Sequence, residues 1–187
     1  MQNVRVFFEK TGMTKYISHL DLMRCMTRAI KRAAIPAWYT EGFNPHLFIT
    51  FALPLTLGVE SLCESMDIRL TEEMGFEEVK NRLNVNLPDG IRITNVAVPV
   101  YKANDIAFAE YKITFHTRKN EKIKNEIEEK LLGDELLAEK MGKQGKRKVL
   151  KTINLKEFVN SYSVISLNDK TVLTCLLYTS PSPRDTE

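Results

Sequence analysis

The 187-residue sequence predicts an α+β fold, and three features of it lead there. Apolar residues alternate in short runs, at Val4, Val6 and Phe8 and again at Met66, Ile68 and Leu70. Two other segments, after Ser18 and from Phe76 to Leu83, space their apolar residues every three or four positions. Turn residues such as Pro88-Asp89-Gly90 divide these runs. A period of two marks a half-buried strand, and a period near 3.6 marks an amphipathic helix.

The elements follow in order. Val4–Phe8 reads as a strand, broken by Thr11-Gly12. Ser18, three residues before Asp21, begins a capping-box-like helix start. The helix runs to about Ala34, and Pro36 ends it. Leu47–Leu53 is a nearly continuous apolar strand, and Leu55–Ser61 a loop. Ser65–Leu70 is the next strand, Phe76, Val79 and Leu83 define a second helix, and Ile91–Val98 a last strand with an irregularity near Asn95. Strand, helix, strand, strand, helix, strand is the ferredoxin-like split βαβ order, with two helices on one face of an antiparallel sheet.

Residues 1–100 thus form one α+β domain and 101–107 a linker. A second α+β unit, ferredoxin-like but incomplete, occupies 108–174. It holds a strand at Tyr111–Phe115, a charged helix on Ile123, Ile127 and Leu131 that Gly133 can cap, a basic hairpin over Glu139–Leu155, and strands at Tyr162–Leu167 and Val172–Thr174. Residues 175–187 read as foreign. Their CLLYTSPSPRD resembles one reading frame of a transposon-end adapter used in DNA library preparation, and they are set aside from the fold.

Composition bounds the function. The full chain carries a net charge of +3, and without the tail 26 basic side chains face 22 acidic ones. This mild excess permits a nucleic-acid partner without requiring one. Cys25 and Cys63, with no CxxC-type spacing, suit a reducing, cytoplasmic setting and cannot supply three thiolates to an iron–sulfur cluster. His19, His46 and His116 form no metal-ligand motif, so no metal is expected. Met1–Lys10 is no signal peptide, and no apolar run approaches the about 20 residues that span a bilayer, so no membrane association is expected.

The stretch TKYISHLDLMRCMTRAIKRA (Thr14–Ala33) carries the densest chemistry. With Arg24 at zero and about 100° per residue, Lys31, Arg28 and Arg32 fall at about −20°, 40° and 80°. Leu22, Met23, Met26, Ala29, Ile30 and Ala33 fill the opposite arc. The apolar arc explains why the helix packs. The basic arc is either a solvated surface or a phosphate-facing one, whose binding weakens as salt rises. Asp21 partly neutralises it. His19 falls in the apolar arc, at the helix start where the dipole disfavours imidazolium. It is either an anchor satisfied by a carbonyl or carboxylate, or a neutral general base. Lys15, Tyr16, His46 and Asp67 are its conceivable neighbours.

Two further stretches stand out. GFNPH (Gly42–His46) is a turn by composition, yet brings Phe43, Asn44 and His46 together. Lys140–Lys151 carries Lys143, Lys146, Arg147, Lys148 and Lys151 with no acid, as a solvated hairpin or a finger along a nucleic-acid backbone. Its Gly142 and Gly145 lack P-loop spacing.

FEKTGMTKYISHLDLMR followed by YTEGFNPHLFITFALPLTLGVES resembles the radical SAM-linked, or radical SAM-associated, protein family, which carries the DUF2344 domain of unknown function. SHLD, GFNPH, FALPL and GVES stand in the family's order, so the resemblance marks Ser18, His19, Asp21 and Gly42, Phe43, Asn44, Pro45 and His46 as motif residues. The family's pattern continues GFNPH with Pro-Lys, where this chain has Leu47-Phe48. The resemblance implies a cobalamin-binding radical SAM protein as partner, which would hold the iron–sulfur cluster, S-adenosylmethionine and cobalamin, while this chain binds no cofactor.

Three functions are therefore expected in turn. The first is a non-catalytic companion of that enzyme, binding RNA through Arg24, Arg28, Lys31, Arg32 and the Lys143–Lys151 hairpin, or presenting substrate. The second is a metal-independent endoribonuclease, similar to CRISPR repeat-processing enzymes, using His19 with His46. The third is a protein-interaction module without nucleic acid.

Overall fold

The computed structural model describes residues 1–117, 119–144 and 147–179. The fold is α+β, in two units, Met1–Asp105 and Ile106–Glu187.

In the first unit, β1 (Gln2–Lys10), α1 (His19–Arg32), β2 (Ile49–Phe51), β3 (Ser61–Leu70), α2 (Phe76–Asn86) and β4 (Ile91–Ala97) follow one another. The strands form one antiparallel sheet in the order β2-β3-β1-β4. Register matches the alternation: Val4 faces Ile68 and Val6 faces Met66. These side chains share one core with Leu22, Met26, Ala29 and Ile30 of α1 and Val79 and Leu83 of α2. At about 25 cal/mol per Å² of apolar surface removed from water, that shared face holds the helices on the sheet.

Local details follow from single residues. Ser18 caps α1, its Oγ accepting the Asp21 N–H at 3.1 Å. The helix stops at Arg32, where Ala34 turns to φ 50° ahead of Pro36. Phe7 pairs with Asn95 and Phe8 with Ile93, so Thr94 is the extra residue of a bulge where the sequence places an irregularity.

The second strand departs from expectation. Leu47–Leu53 reads as a strand, but only Ile49–Phe51 pair with β3. Pro45 and Pro54 flank the run, and Leu47 bridges to Tyr39 instead. An apolar run shows that side chains are buried, not that the backbone has a ladder partner. β3 in turn begins earlier, at Ser61.

The second unit comprises β5 (Phe108–His116), α3 (Asn120–Leu132), a two-stranded sheet of β6 (Leu137–Gln144) and β7 (Arg147–Asn154), then β8 (Val159–Leu167) and β9 (Lys170–Tyr178). Its main sheet is antiparallel in the order β5-β9-β8. α3 packs on β8 and β9. The buried Asn120 at its start donates to Leu167 O and Asn168 O and accepts from Thr171 Oγ1.

β9 corrects the sequence-based end of the fold at Thr174. Cys175–Leu177 continue the ladder to both β5 and β8, Tyr178 pairs with Phe108 of β5, and Cys175 is buried. An apolar tetrad following a strand extends it whenever its neighbours are long enough to pair, whatever its origin. Residues 180–187 lie outside the described residues.

Candidate functional site

The basic arc of α1 lines an open cleft of about 620 Å³. Asp21, Arg24, Cys25, Arg28 and Arg32 form one wall, and Val85–Pro88, where α2 ends, the other. The capping serine shapes its rim. Ser18 Oγ also donates to Asp21 Oδ2 at 2.7 Å, and that bond, with Arg24 at 3.2 Å, holds the Asp21 carboxyl below its ordinary value.

The three guanidiniums differ in what they already hold. Arg24 is paired with Asp21. Arg32 Nη2 donates to Asn86 O at 2.6 Å, satisfying a carbonyl at the end of α2. Arg28 has neither ion pair nor hydrogen bond among the described residues. Lys31 is exposed beside them but does not line the cleft. Burial pushes the Cys25 thiol up, against the pull of Arg32 and Arg28, so it stays protonated at neutral pH.

His19 lies on the apolar side of α1, where its helical angle puts it. Its ring stands edge-on to Phe51 with centroids 5.0 Å apart, and its buried Nδ1 has no hydrogen-bond partner among the described residues. The carbonyl or carboxylate expected to anchor it does not do so. Asp67, a conceivable neighbour, is held instead by Arg5 in a two-bonded pair at 2.7 and 2.8 Å. His46 is engaged within its own turn: Nδ1 lies 3.0 Å from Thr40 Oγ1, its N–H donates to the same oxygen, and Thr40 N–H returns to His46 O. His19 and His46 thus contact different neighbours, His19 the Phe51 ring and His46 Thr40 and Asn44.

The GFNPH turn is closed by Thr40 and His46 and leaves Phe43 wholly exposed at its tip. Gly42, Asn44 and Pro45 are exposed around it. At its base, the Arg69 guanidinium lies 5.1 Å from the Trp38 ring and 5.0 Å from the Phe48 ring, a cation held between two aromatic faces. Phe48, two residues after the GFNPH turn, is part of this stack.

The sequence reading missed a polar cluster beside His19. Lys10 is the fourth member of the inward series Val4, Val6, Phe8, Lys10 and is 1% exposed. Its ammonium reaches Lys15 O at 3.4 Å and Ile17 O at 3.3 Å. Burial lowers its pKa, while the charge of Glu64 opposes that shift. Burial in turn raises the pKa of Glu64, against a bond from Ser61 and the charge of Lys10. The signal was present in the alternation, which a charged residue at an inward position continues rather than breaks.

The basic hairpin is formed by β6 and β7. Lys151 is exposed opposite Lys140, with its aliphatic stem lying over Gly142. Lys146 lies outside the described residues, as do the side chains of Lys143, Arg147 and Lys148. Among the described residues no three His, Cys, Asp or Glu side chains stand close enough together to hold a metal ion. No helix among them is long and apolar enough to cross a membrane.

Two α+β units, one with an arginine-lined cleft beside its first helix, define the class of this protein. The chain belongs to the family described as an uncharacterized protein conserved in bacteria (DUF2344), whose profile matches residues 3–183. That match runs past Thr174 into the segment that resembles an adapter. No curated protein matches the chain.

Proposed function

We propose that this protein is a non-catalytic RNA-binding companion, holding a nucleic-acid backbone along α1 for a partner enzyme. The observation that carries this reading is Arg28: a guanidinium on an open cleft, flanked by Arg24 and Arg32, with no partner of its own among the described residues. The apolar arc of α1 suffices for folding, so the fold does not require this row. Guanidinium forks match phosphate oxygens two at a time. The opposite wall, Val85, Asn86, Leu87 and Pro88, has no aromatic ring, and the Asn86 amide already donates to Arg82 O at 2.9 Å. Phosphate contacts set affinity and register without sequence preference. The basic hairpin of the second unit would make phosphate contacts of its own.

In this reading the partner is a cobalamin-binding radical SAM protein, and the iron–sulfur cluster, S-adenosylmethionine and cobalamin belong to it. That assignment rests on the resemblance of SHLD and GFNPH to the family's motifs.

The test is RNA binding titrated against salt. Arg28→Ala breaks no bond seen in the fold, so it is the clean variant. It should reduce the log–log salt slope by about one, and Arg24→Ala/Arg28→Ala should reduce it further. The loss should be uniform across RNA sequences. Absence of binding at low salt would remove RNA from the reading and leave a protein-interaction module.

A further inference from the structure

The two walls of the arginine cleft differ in charge. On α1, Arg24, Arg28 and Arg32 recur every four residues, and all three are exposed. Four residues rise about 6 Å along a helix, close to the step between neighbouring phosphates on one strand. The far wall is the end of α2 and the turn that follows, Val85–Pro88. None of its residues is basic, and the last turn of α2 holds no basic side chain. A helix C-terminus presents carbonyls and the negative end of the dipole, which disfavour phosphate. What this wall offers outward is apolar. Val85 is 85% exposed and Pro88 is exposed near it. The buried face of α2 is made by Val79 and Leu83, so Val85 has no part in the core.

We infer that the cleft takes one unpaired RNA strand, with its phosphates along Arg24, Arg28 and Arg32 and its bases turned against Val85 and Pro88. This deepens the RNA-binding reading and rests on it. A duplex carries a second row of phosphates across its groove from the first, and that row would meet the end of α2. The faces of its bases are also stacked inside, out of reach of Val85. An unpaired strand has a single phosphate row and free base faces. A basic track beside a surface for base faces is how strands are held without sequence readout. Arg28 has no bond to give up. Arg24 gives up only an exposed pair with Asp21, which is worth little in water.

The experiment is fluorescence anisotropy of the full chain with an RNA of about 12 nucleotides that cannot pair with itself, offered alone and annealed to its complement. Arg28 and Val85 are exposed, so changing either spares the fold. In about 0.1 M salt, Arg28→Ala should weaken binding of the single strand about five-fold and leave duplex binding unchanged. Val85→Ser should weaken the single strand about three-fold with its log–log salt slope unchanged, because the lost contact is apolar. An abasic strand of the same length should bind parent and Val85→Ser alike. Duplex binding as sensitive to Arg28→Ala as single-strand binding would overturn the inference while leaving RNA binding intact. So would a Val85→Ser form that holds the single strand as tightly as the parent. Absence of binding to either form of RNA at low salt would overturn the reading beneath it as well.

Discussion

Glu64 shows how a single side chain can be a cost that its neighbours only partly offset. Burial raises its pKa above the ordinary 4.5, and neither Ser61 nor Lys10 cancels that. The folded state therefore holds a proton more tightly than the unfolded one. The stabilising contribution is complete below pH 4.5 and is lost as pH rises through the higher folded value. Glu64→Gln removes this dependence. Urea unfolding at stepped pH should show the variant gaining stability relative to the parent as pH rises from 4.5 toward neutrality. A difference constant with pH would mean that the carboxyl is not desolvated. The inward position of Lys10 was legible in the alternation with Val4, Val6 and Phe8. The orphaned Nδ1 of His19 was not, because the lack of a partner is a property of the tertiary neighbourhood and leaves no mark in the chain.

At the level of elements, the turn before β4 is pinned to the start of the fold. Thr11 N–H donates to Gly90 O at 2.7 Å and Thr14 Oγ1 to the same oxygen at 3.0 Å. Gly90 has φ 88°, and a Cβ there would stand 2.5 Å from Thr11 O. Gly58 has nearly the same φ, 86°, with nothing within 4 Å. Left-handed backbone costs a non-glycine residue about 1–2 kcal/mol, a cost both positions share. Gly90→Ala adds a backbone clash that Gly58→Ala does not. Chemical denaturation should give Gly90→Ala the larger loss, by at least about 1 kcal/mol; equal losses would show that the turn yields freely. Most elements of this unit were legible from period alone, since β1, α1, β3, α2 and β4 each bury one face. β2 was not, because Leu47–Leu53 buries side chains through a bridge and a loop as well as through a strand. β9 was cut short because composition, rather than pattern, was used to end it.

For the molecule as a whole, burial is unevenly shared. The fully buried aliphatic and aromatic core lies in the first unit, whereas Val172 and Cys175 are the buried apolar residues of the second among those described. A unit with its own core folds alone. A fragment of residues 1–105 should unfold cooperatively in urea, with a midpoint close to that of the first unit in the full chain. A fragment that is unfolded or molten would show that the core depends on residues beyond Asp105. The arginine cleft was legible in outline from the helical wheel. Its far wall was not, because Val85–Pro88 meet α1 only once α2 is folded against it.

The cation clamped between Trp38 and Phe48 has an optical consequence. Trp38 is the chain's single tryptophan. Its emission therefore originates from one place, the strap that leaves α1 and carries the GFNPH turn, with a charge from β3 lying against the indole. The protein has in effect labelled its own motif loop. Whatever docks on that loop or displaces Arg69 changes colour and intensity there.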